Sequence, residues 1–457
     1  MSEPCEERGF PQPTSGAQVW SPESRLLTVG LLLTVSTAAV EALAVATTMP
    51  ATVASIGGLQ YYGWAFAGFM VAEVVGIAAA GRLADAGGLA RSFAVGSALF
   101  AVGLLGAGLA SSMPQLLAGR GVQGLGAGAI SSLAYAAVAR AYADDAKPRM
   151  LSLLSTAWVV PGLVGPAAAG AVAEHVGWRW VFLGVAPLIA IAAVLVVPAL
   201  RRLDQPRGNA AVDSGGLLPA LALALGCVVL MAAPELASPA DLLAGAAGVV
   251  IAVPALRRLL PPGTFSARRG IPAAVAAMAL LSASFFGAEI FVPLALADIR
   301  GQSTGFAGLV LTASTLGWTA GAWWQERLAP RHSRGATASA GLVVLLLSIL
   351  AMGGVIATNV SAWTALPVWT LAGLGIGLAY TTVALAMLES APAGREGEVS
   401  ASLQLANVLG TAAGTGAAGA VVAGTSGAGT ATTPTFLLVG ALAMAVGLLG
   451  LVVARRL

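Results

Sequence analysis

Charge is scarce in this 457-residue chain: Asp, Glu, Lys and Arg together make up 9% of it, against about 25% in a soluble globular domain. A water-facing surface cannot be built from so few charges when 58% of the residues are hydrophobic, so the solvent for most of the chain must be lipid. Lysine occurs only as Lys147, which excludes a Gly-x-x-x-x-Gly-Lys-Ser/Thr phosphate loop and with it a built-in ATP motor. The two cysteines, Cys5 in a polar tail and Cys227 in an apolar run, suggest no disulfide framework. With only two histidines, no metal cluster is expected either. There is no Gly-x-Ser-x-Gly elbow and no large soluble domain, so an enzyme is not expected, nor a cofactor or a nucleic-acid partner.

What the chain has in quantity is apolar helix-forming sequence and 58 glycines. Lipid provides no hydrophobic drive between helices, so small residues that allow close backbone approach must carry the packing. Residues 1–25 are polar and rich in Pro, Ser and Glu, the composition of a disordered cytoplasmic tail. The first apolar run starts near Leu26. It is too long for a signal-peptide core and lacks a cleavage pattern. A membrane crossing takes about 20 apolar residues, which predicts spans near 27–49, 62–84, 91–111, 114–142, 148–174 and 177–200, then 214–233 and 240–258, then 271–297, 304–325, 336–356, 361–388, 397–424 and 432–454. With the N-terminus in the cytoplasm, twenty of the 23 basic residues fall on cytoplasmic segments, as the positive-inside rule requires. Both termini are then cytoplasmic, in an inner or plasma membrane. If 214–258 were a re-entrant hairpin, twelve spans would remain with the same orientation.

The spans repeat. Phe66-Ala67-Gly68 with Gly81 has the spacing of Phe306-Ala307-Gly308 with Gly321. Gly124, Gly126 and Gly128 in the fourth span match Gly373, Gly375 and Gly377 in the twelfth, and the first and ninth spans carry one acid each, Glu41 and Glu289. This divides the chain into a tail (1–25), a six-helix bundle (26–203), a linker with two inserted helices (204–262) and a second six-helix bundle (263–457), an all-α membrane protein of fourteen transmembrane helices.

Four stretches resemble the major facilitator superfamily, and within it the fourteen-helix drug:proton antiporters. Gly81-Arg-Leu-Ala-Asp85 through Arg91 is similar to the loop signature after the second helix, with Ala86, Leu89 and Ala90 where basic residues are usual; Arg120-Gly-Val-Gln123-Gly124-Leu-Gly126 is similar to a motif tied to proton coupling; Pro161-Gly-Leu-Val-Gly165-Pro166 through Gly170 resembles the antiporter motif; and Glu41, nine residues before Pro50, stands where the branch often has Asp. The resemblance implies the major facilitator fold and proton-coupled export, with gating at Gly81, Asp85, Arg91, Gln123, Gly124, Pro161, Gly165 and Pro166. The second half lacks the charges: Gln325 sits where Asp85 would repeat and Trp369 where Arg120 would.

Physics singles out the same charges. An ionisable side chain inside a span costs at least about 2.5–3.5 kcal/mol on insertion scales, so it faces a cavity or a partner. Glu41, Glu73, Arg120 and Glu289 are such residues, and each is a candidate for proton coupling, set against a hydrogen-bonded structural role. Low dielectric favours a neutral carboxyl and a nearby guanidinium favours the charged one, so a carboxyl between the two can load and release protons. Candidates for the substrate cavity are Trp158, Phe285, Phe286, Trp318, Trp369, Tyr380, Gln404 and Asn407; the plainer reading of each is packing. The expected activity is efflux of small amphipathic compounds by a functional monomer, with protons as the second partner. Alternatives are export of a lipid, metabolite or siderophore, uptake by symport, or a non-transporting membrane sensor.

Overall fold

The structure is a computed structural model. It describes residues 19–22, 24–143, 146–203, 216–232, 239–328, 331–391, 396–425 and 430–457. Most of the tail expected at 1–25 lies outside the described residues, as does much of the linker. Among the described residues there are sixteen α-helices and no strand. They are α1 (Arg25–Ile56), α2 (Tyr62–Gly87), α3 (Leu89–Gly108), α4 (Met113–Ala141), α5 (Lys147–Thr156), α6 (Val159–His175), α7 (Arg179–Leu203), α8 (Leu217–Ala232), α9 (Pro239–Leu259), α10 (Ile271–Glu289), α11 (Val292–Asp298), α12 (Thr304–Leu328), α13 (Arg334–Ala357), α14 (Ala365–Glu389), α15 (Glu396–Thr425) and α16 (Thr433–Ala454). Each of the fourteen apolar stretches falls on a helix or a pair of helices. Among the described residues, eleven stretches are long and apolar enough to cross a membrane; the described parts of α8, α9 and α12 are not among them.

Two stretches expected as single helices are broken, and proline explains both breaks. The ring of an interior proline clashes with the carbonyl four residues earlier. Four residues before Pro161 is Ala157, in the turn between α5 and α6, and four before Pro293 is Glu289, the last residue of α10. A third departure concerns length. α1 runs on to Ile56, so Glu41 lies at the middle of the helix, deeper than a span ending near residue 49 implies.

The helices form two similar sets. α2, α3 and α4 pack together, α7 packs on α1 and α3, and α6 packs on α1; in the second set α12, α13 and α14 pack together, α16 packs on α10 and α13, and α15 packs on α10. The sets meet along two seams, α6 with α12 and α2 with α15. The inserted α8 and α9 pack on each other and cover the second seam, where Val74, Ala220, Leu223, Ala252, Ala255 and Val408 share one apolar cluster.

Close backbone contacts fix the register of the repeat. A methyl group at Gly124 would stand 2.3 Å from the Phe69 carbonyl oxygen and one at Gly128 2.0 Å from that of Glu73; the same methyls at Gly373 and Gly377 would stand 1.8 Å from Ser314 and 2.1 Å from Trp318. Gly76 faces the Leu125 carbonyl as Gly321 faces that of Leu374. Position 76 therefore corresponds to 321, and 73 to 318. This corrects the register read from Phe66-Ala67-Gly68: Gly68 and Gly81 have no neighbour within 4 Å, whereas Gly308 and Gly321 are pressed against backbone. Gln325 thus corresponds to Ala80, not to Asp85. The match of Arg120 with Trp369 stands. Gly373→Ala is expected to destabilise the protein by about 1–3 kcal/mol, the usual cost of overpacking, whereas Gly354→Ala, with no atom within 4 Å, is expected to be near neutral. Thermal unfolding in detergent, followed by size-exclusion chromatography, compares the two.

Candidate functional site

Arg120 is the centre of the charged residues. It lies within α4 and is 2% exposed, as is Glu41 on α1. The two form an ion pair through Arg120 Nη1 and Glu41 Oε1. The same Nη1 donates to Gln123 Oε1 at 2.8 Å, and Nε donates to the Ala65 carbonyl on α2 at 3.0 Å. The guanidinium also lies over the Phe69 ring, 4.1 Å from its centroid, a favourable cation–π geometry. One side chain thus ties α1, α2 and α4 together. Removing one partner of such a buried pair costs about 3–5 kcal/mol, because the other charge is left without compensation.

Two features of this corner remain open. Glu73 on α2 is half-buried and lies within electrostatic range of both Glu41 and Arg120, yet it takes part in no ion pair or hydrogen bond among the described residues. The Gln123 amide nitrogen is buried without a hydrogen-bond partner. Glu73 and the Gln123 amide thus leave polar capacity unused beside the ion pair.

The second set of helices carries a different corner at the equivalent place. Glu289, 8% exposed, ends α10 and accepts from Ser314 Oγ at 3.2 Å. Trp369 takes the place of Arg120, its indole N–H beside the Glu289 carboxyl without closing a hydrogen bond of normal geometry. Ser314 takes the place of Phe69, and Trp318 that of Glu73. Phe285, Phe286, Trp318, Trp369 and Tyr380 form one aromatic group: Phe285 stacks on Trp369 with centroids 6.3 Å apart, and Trp318 contacts Phe285 at 5.6 Å and Tyr380 at 5.4 Å. Phe285 and Trp369 are fully enclosed, while Phe286, Trp318 and Tyr380 keep partly exposed faces.

Other candidates fall elsewhere. Trp158 stands at the α5–α6 break, 46% exposed and outside the aromatic group. Asn407 accepts from Ser282 Oγ at 2.8 Å, and Gln404, one turn away on α15, is half-buried. Gly124 packs against α2. Pro161 and Pro166 are buried in α6, and the Pro166 carbonyl touches α12 at Gly308. Gly165 has no neighbour within 4 Å; Gly162 and Gly170 make the close approaches to α12 instead. Gly81 and Arg91 are exposed, and the side chain of Asp85 lies outside the described residues. No sequence pattern singles out Phe69, Ala65 or Ser314. Ser314 is legible only once the correct register pairs it with Phe69.

The two sets are joined at one end, where α1 stops and α2 begins. Tyr62 Oη donates to the Ile290 carbonyl at 3.0 Å in the gap between α10 and α11, with its ring 5.2 Å from that of Phe291. Gly305 N–H, at the start of α12, donates to Glu174 Oε2 at the end of α6 at 3.1 Å. Gly63 of α2 meets Gly419 of α15 at the same level.

Two repeated helical sets meeting along two seams, with a buried charged pair, are features of a transporter, and known proteins agree. The family model described as Major Facilitator Superfamily matches residues 29–415. A Mycobacterium tuberculosis protein named "Probable multidrug-efflux transporter" is 29% identical over 396 residues, covering 82% of each chain. Multidrug resistance protein 3 of Bacillus subtilis is 25% identical over 390 residues, covering 80% of this chain and 73% of that one. Among solved structures, a bacterial homologue of the human lysosomal transporter Spinster, inward-facing and unoccupied, superposes with a TM-score of 0.65 at 13% identity, covering 95% of this chain and 98% of that one. A POT family transporter in complex with 5-aminolevulinic acid does so with a TM-score of 0.67 at 15% identity, over 93% and 95%. The chain is a multi-pass membrane transporter, not an enzyme, and belongs to the major facilitator superfamily.

Proposed function

We propose that this transporter is a proton-driven exporter of small amphipathic compounds in the fourteen-helix drug:proton antiporter branch. It crosses the plasma membrane fourteen times, has both termini in the cytoplasm and works as a monomer. Residues 26–203 and 263–457 are the two rocking units, and 204–262 supplies the inserted pair. The observation that carries this reading is the buried Glu41–Arg120 pair, with Glu73 within electrostatic range of it. A scaffold without transport has no use for charges this costly to bury, and a carboxylate that can exchange its counter-ion for a proton is what coupling requires. The names of the relatives support the multidrug reading.

The joined end, with Tyr62, faces the outside in this assignment, so the path is closed on the outer side. In the cycle, a proton from outside neutralises Glu41 and frees Arg120, which swings toward Glu73 as the substrate leaves. The return to the inward-open form releases the proton to the cytoplasm and restores the pair. Gln123 steadies Arg120 in both positions, and Asp85 and Arg91 control the inner gate. The aromatic group with Glu289 forms the substrate wall: the partly exposed faces of Phe286, Trp318 and Tyr380 offer stacking area, and Glu289 offers a counter-charge.

The test is purified protein in liposomes with an imposed pH gradient and an internal pH dye, challenged with a panel of lipophilic cations and neutral amphiphiles. Substrate-dependent proton flux, opposite in direction to substrate movement, is the expected result. If no compound moves protons, the proton-coupled reading is wrong; if protons and substrate move together, export gives way to symport.

A further inference from the structure

Between α15 and α16 the second set of helices leaves a groove floored by α10. α10 packs closely on both neighbours, while α15 and α16 touch each other only lightly. The floor is sunk by glycine: methyl groups at Gly410 and Gly414 would stand 2.2 Å from the Ala279 and Ala283 carbonyls, so α15 lies directly on the α10 backbone. The cavity measures about 330 Å³, and every residue lining it is Ala, Gly, Leu or Val. A lining without one hydrogen-bonding side chain gives no orientation to a drug-like ligand or a cation, which need a few placed polar groups. It suits a hydrocarbon chain. From Ala406 to Ala418 the lining of α15 rises about 18 Å at 1.5 Å per residue, close to the roughly 15 Å half-thickness of a bilayer's hydrocarbon core.

One end of the groove carries positive charge. Leu256 of α9 and Leu260, just past its end, close it there, and Arg257 and Arg258 lie between them in sequence. Arg268 and Arg269 follow after a short turn, and α16 ends at the same place: Arg456 Nη1 donates to the Ser266 and Ala267 carbonyls at 2.9 and 3.1 Å. Arg257 also stacks over Phe265, 5.6 Å from the ring centroid. All these arginines are exposed. Positions 255–272 and 433–457 contain no acid, and none of these arginines forms an ion pair among the described residues. Basic pockets between helices at a membrane surface bind anionic headgroups.

We propose that the groove and its arginine rim form a binding site for one anionic phospholipid, with an acyl chain lying between α10, α15 and α16 and the phosphate held at Arg257 and Arg258. The site is separate from the Glu41–Arg120 corner, and it stands or falls independently of proton coupling.

Native mass spectrometry of the full chain, released from neutral detergent and titrated with phosphatidylglycerol or phosphatidylcholine of matched chains, tests this. One phosphatidylglycerol is expected to bind about tenfold more tightly than phosphatidylcholine. Ala413→Leu with Ala417→Leu, two exposed positions of the lining, should fill the groove and remove that tight binding; Ala417→Leu alone serves if the pair does not give a monodisperse protein. Arg257→Gln with Arg258→Gln should bring phosphatidylglycerol down to the phosphatidylcholine level. Soluble glycerol phosphate, a headgroup without chains, should not compete. Wild-type phosphatidylglycerol binding in the groove-filled variant would reduce the site to adsorption on surface arginines and overturn the proposal. So would a retained preference in the arginine variant, or displacement by glycerol phosphate.

Discussion

Glu41→Gln is expected to reduce proton-driven transport by about 100-fold or more, the lower end of what a positioned proton-transfer group contributes, in a protein that stays folded and still binds substrate. Gln keeps the shape of Glu and can still accept a hydrogen bond from Arg120, so the contact between α1 and α4 survives, and Glu73, within electrostatic range of Arg120, remains as the counter-charge that Glu41 no longer supplies. What is lost is a group that can exchange its proton. Arg120→Ala is expected to behave differently. It leaves Glu41 buried at 2% exposure with its counter-ion gone, and removal of one partner of a buried pair destabilises by about 3–5 kcal/mol. Combining Glu41→Gln with Arg120→Gln should recover most of that stability without recovering coupling, because both charges are then gone and the two amides can bond each other. Stability and coupling therefore separate across one mutant cycle. Liposome flux under a pH gradient reads coupling, substrate exchange without a gradient reads binding and conformational cycling, and thermal unfolding reads stability. Full gradient-driven flux in Glu41→Gln would remove Glu41 from the proton path; the same measurement on Glu73→Gln would then show whether the carrier is the neighbouring carboxyl.

Much of this corner is visible in the sequence, because burying charge in lipid is costly and leaves few residues to consider. Glu41 and Arg120 stand out for that reason alone, and Gln123 by its place in the motif that resembles the family's; the structure brings the three together. The aromatic group is legible in a weaker sense: Phe285, Phe286, Trp318, Trp369 and Tyr380 are all among the cavity candidates, and they do assemble, but the same reading included Trp158, which lies apart. Breaks are harder to read than spans. A proline pattern says that a helix is perturbed, while the choice between a helix that continues through Pro166, inside α6, and a full break before Pro161 or Pro293 depends on the neighbours that can satisfy the freed backbone groups. The register of the repeat is hardest. Matching letters at Phe66 and Phe306 misled by five residues, because a glycine in lipid is informative only when a neighbouring backbone occupies the space it leaves, and the sequence does not record which glycines do.

The corrected register makes a strong prediction about how the two sets of helices part. Gly63 lies thirteen residues before Gly76, and Gly308 thirteen before Gly321, so the two occupy equivalent places, one on each seam. A methyl group at Gly63 would stand 2.5 Å from Gly419 Cα, and one at Gly308 2.3 Å from the Pro166 carbonyl oxygen. These nearest neighbours belong to the opposite set. A larger side chain at either position therefore opposes closure of the end marked by Tyr62 while sparing the packing within each set. Overpacking costs about 1–3 kcal/mol per site, and carrying a two-state equilibrium from 1:99 to 99:1 takes about 5.5 kcal/mol. Gly63→Leu and Gly308→Leu should each open that end in part and by similar amounts, and the double variant should hold it open and stop transport. Tyr62→Phe, which removes one hydrogen bond worth about 0.5–1.5 kcal/mol, should shift the equilibrium less. Gly68→Leu, with no atom within 4 Å, should leave it unchanged. Spin labels at Gln60 and Ser303, both exposed at the joined end, report the separation by pulsed dipolar spectroscopy. If the double variant keeps the wild-type distance and turnover, the seam does not limit closure. If Gly63→Leu opens the end but Gly308→Leu does not, the two seams are not equivalent and the inserted α8–α9 pair, which covers only the α2–α15 side, is what distinguishes them.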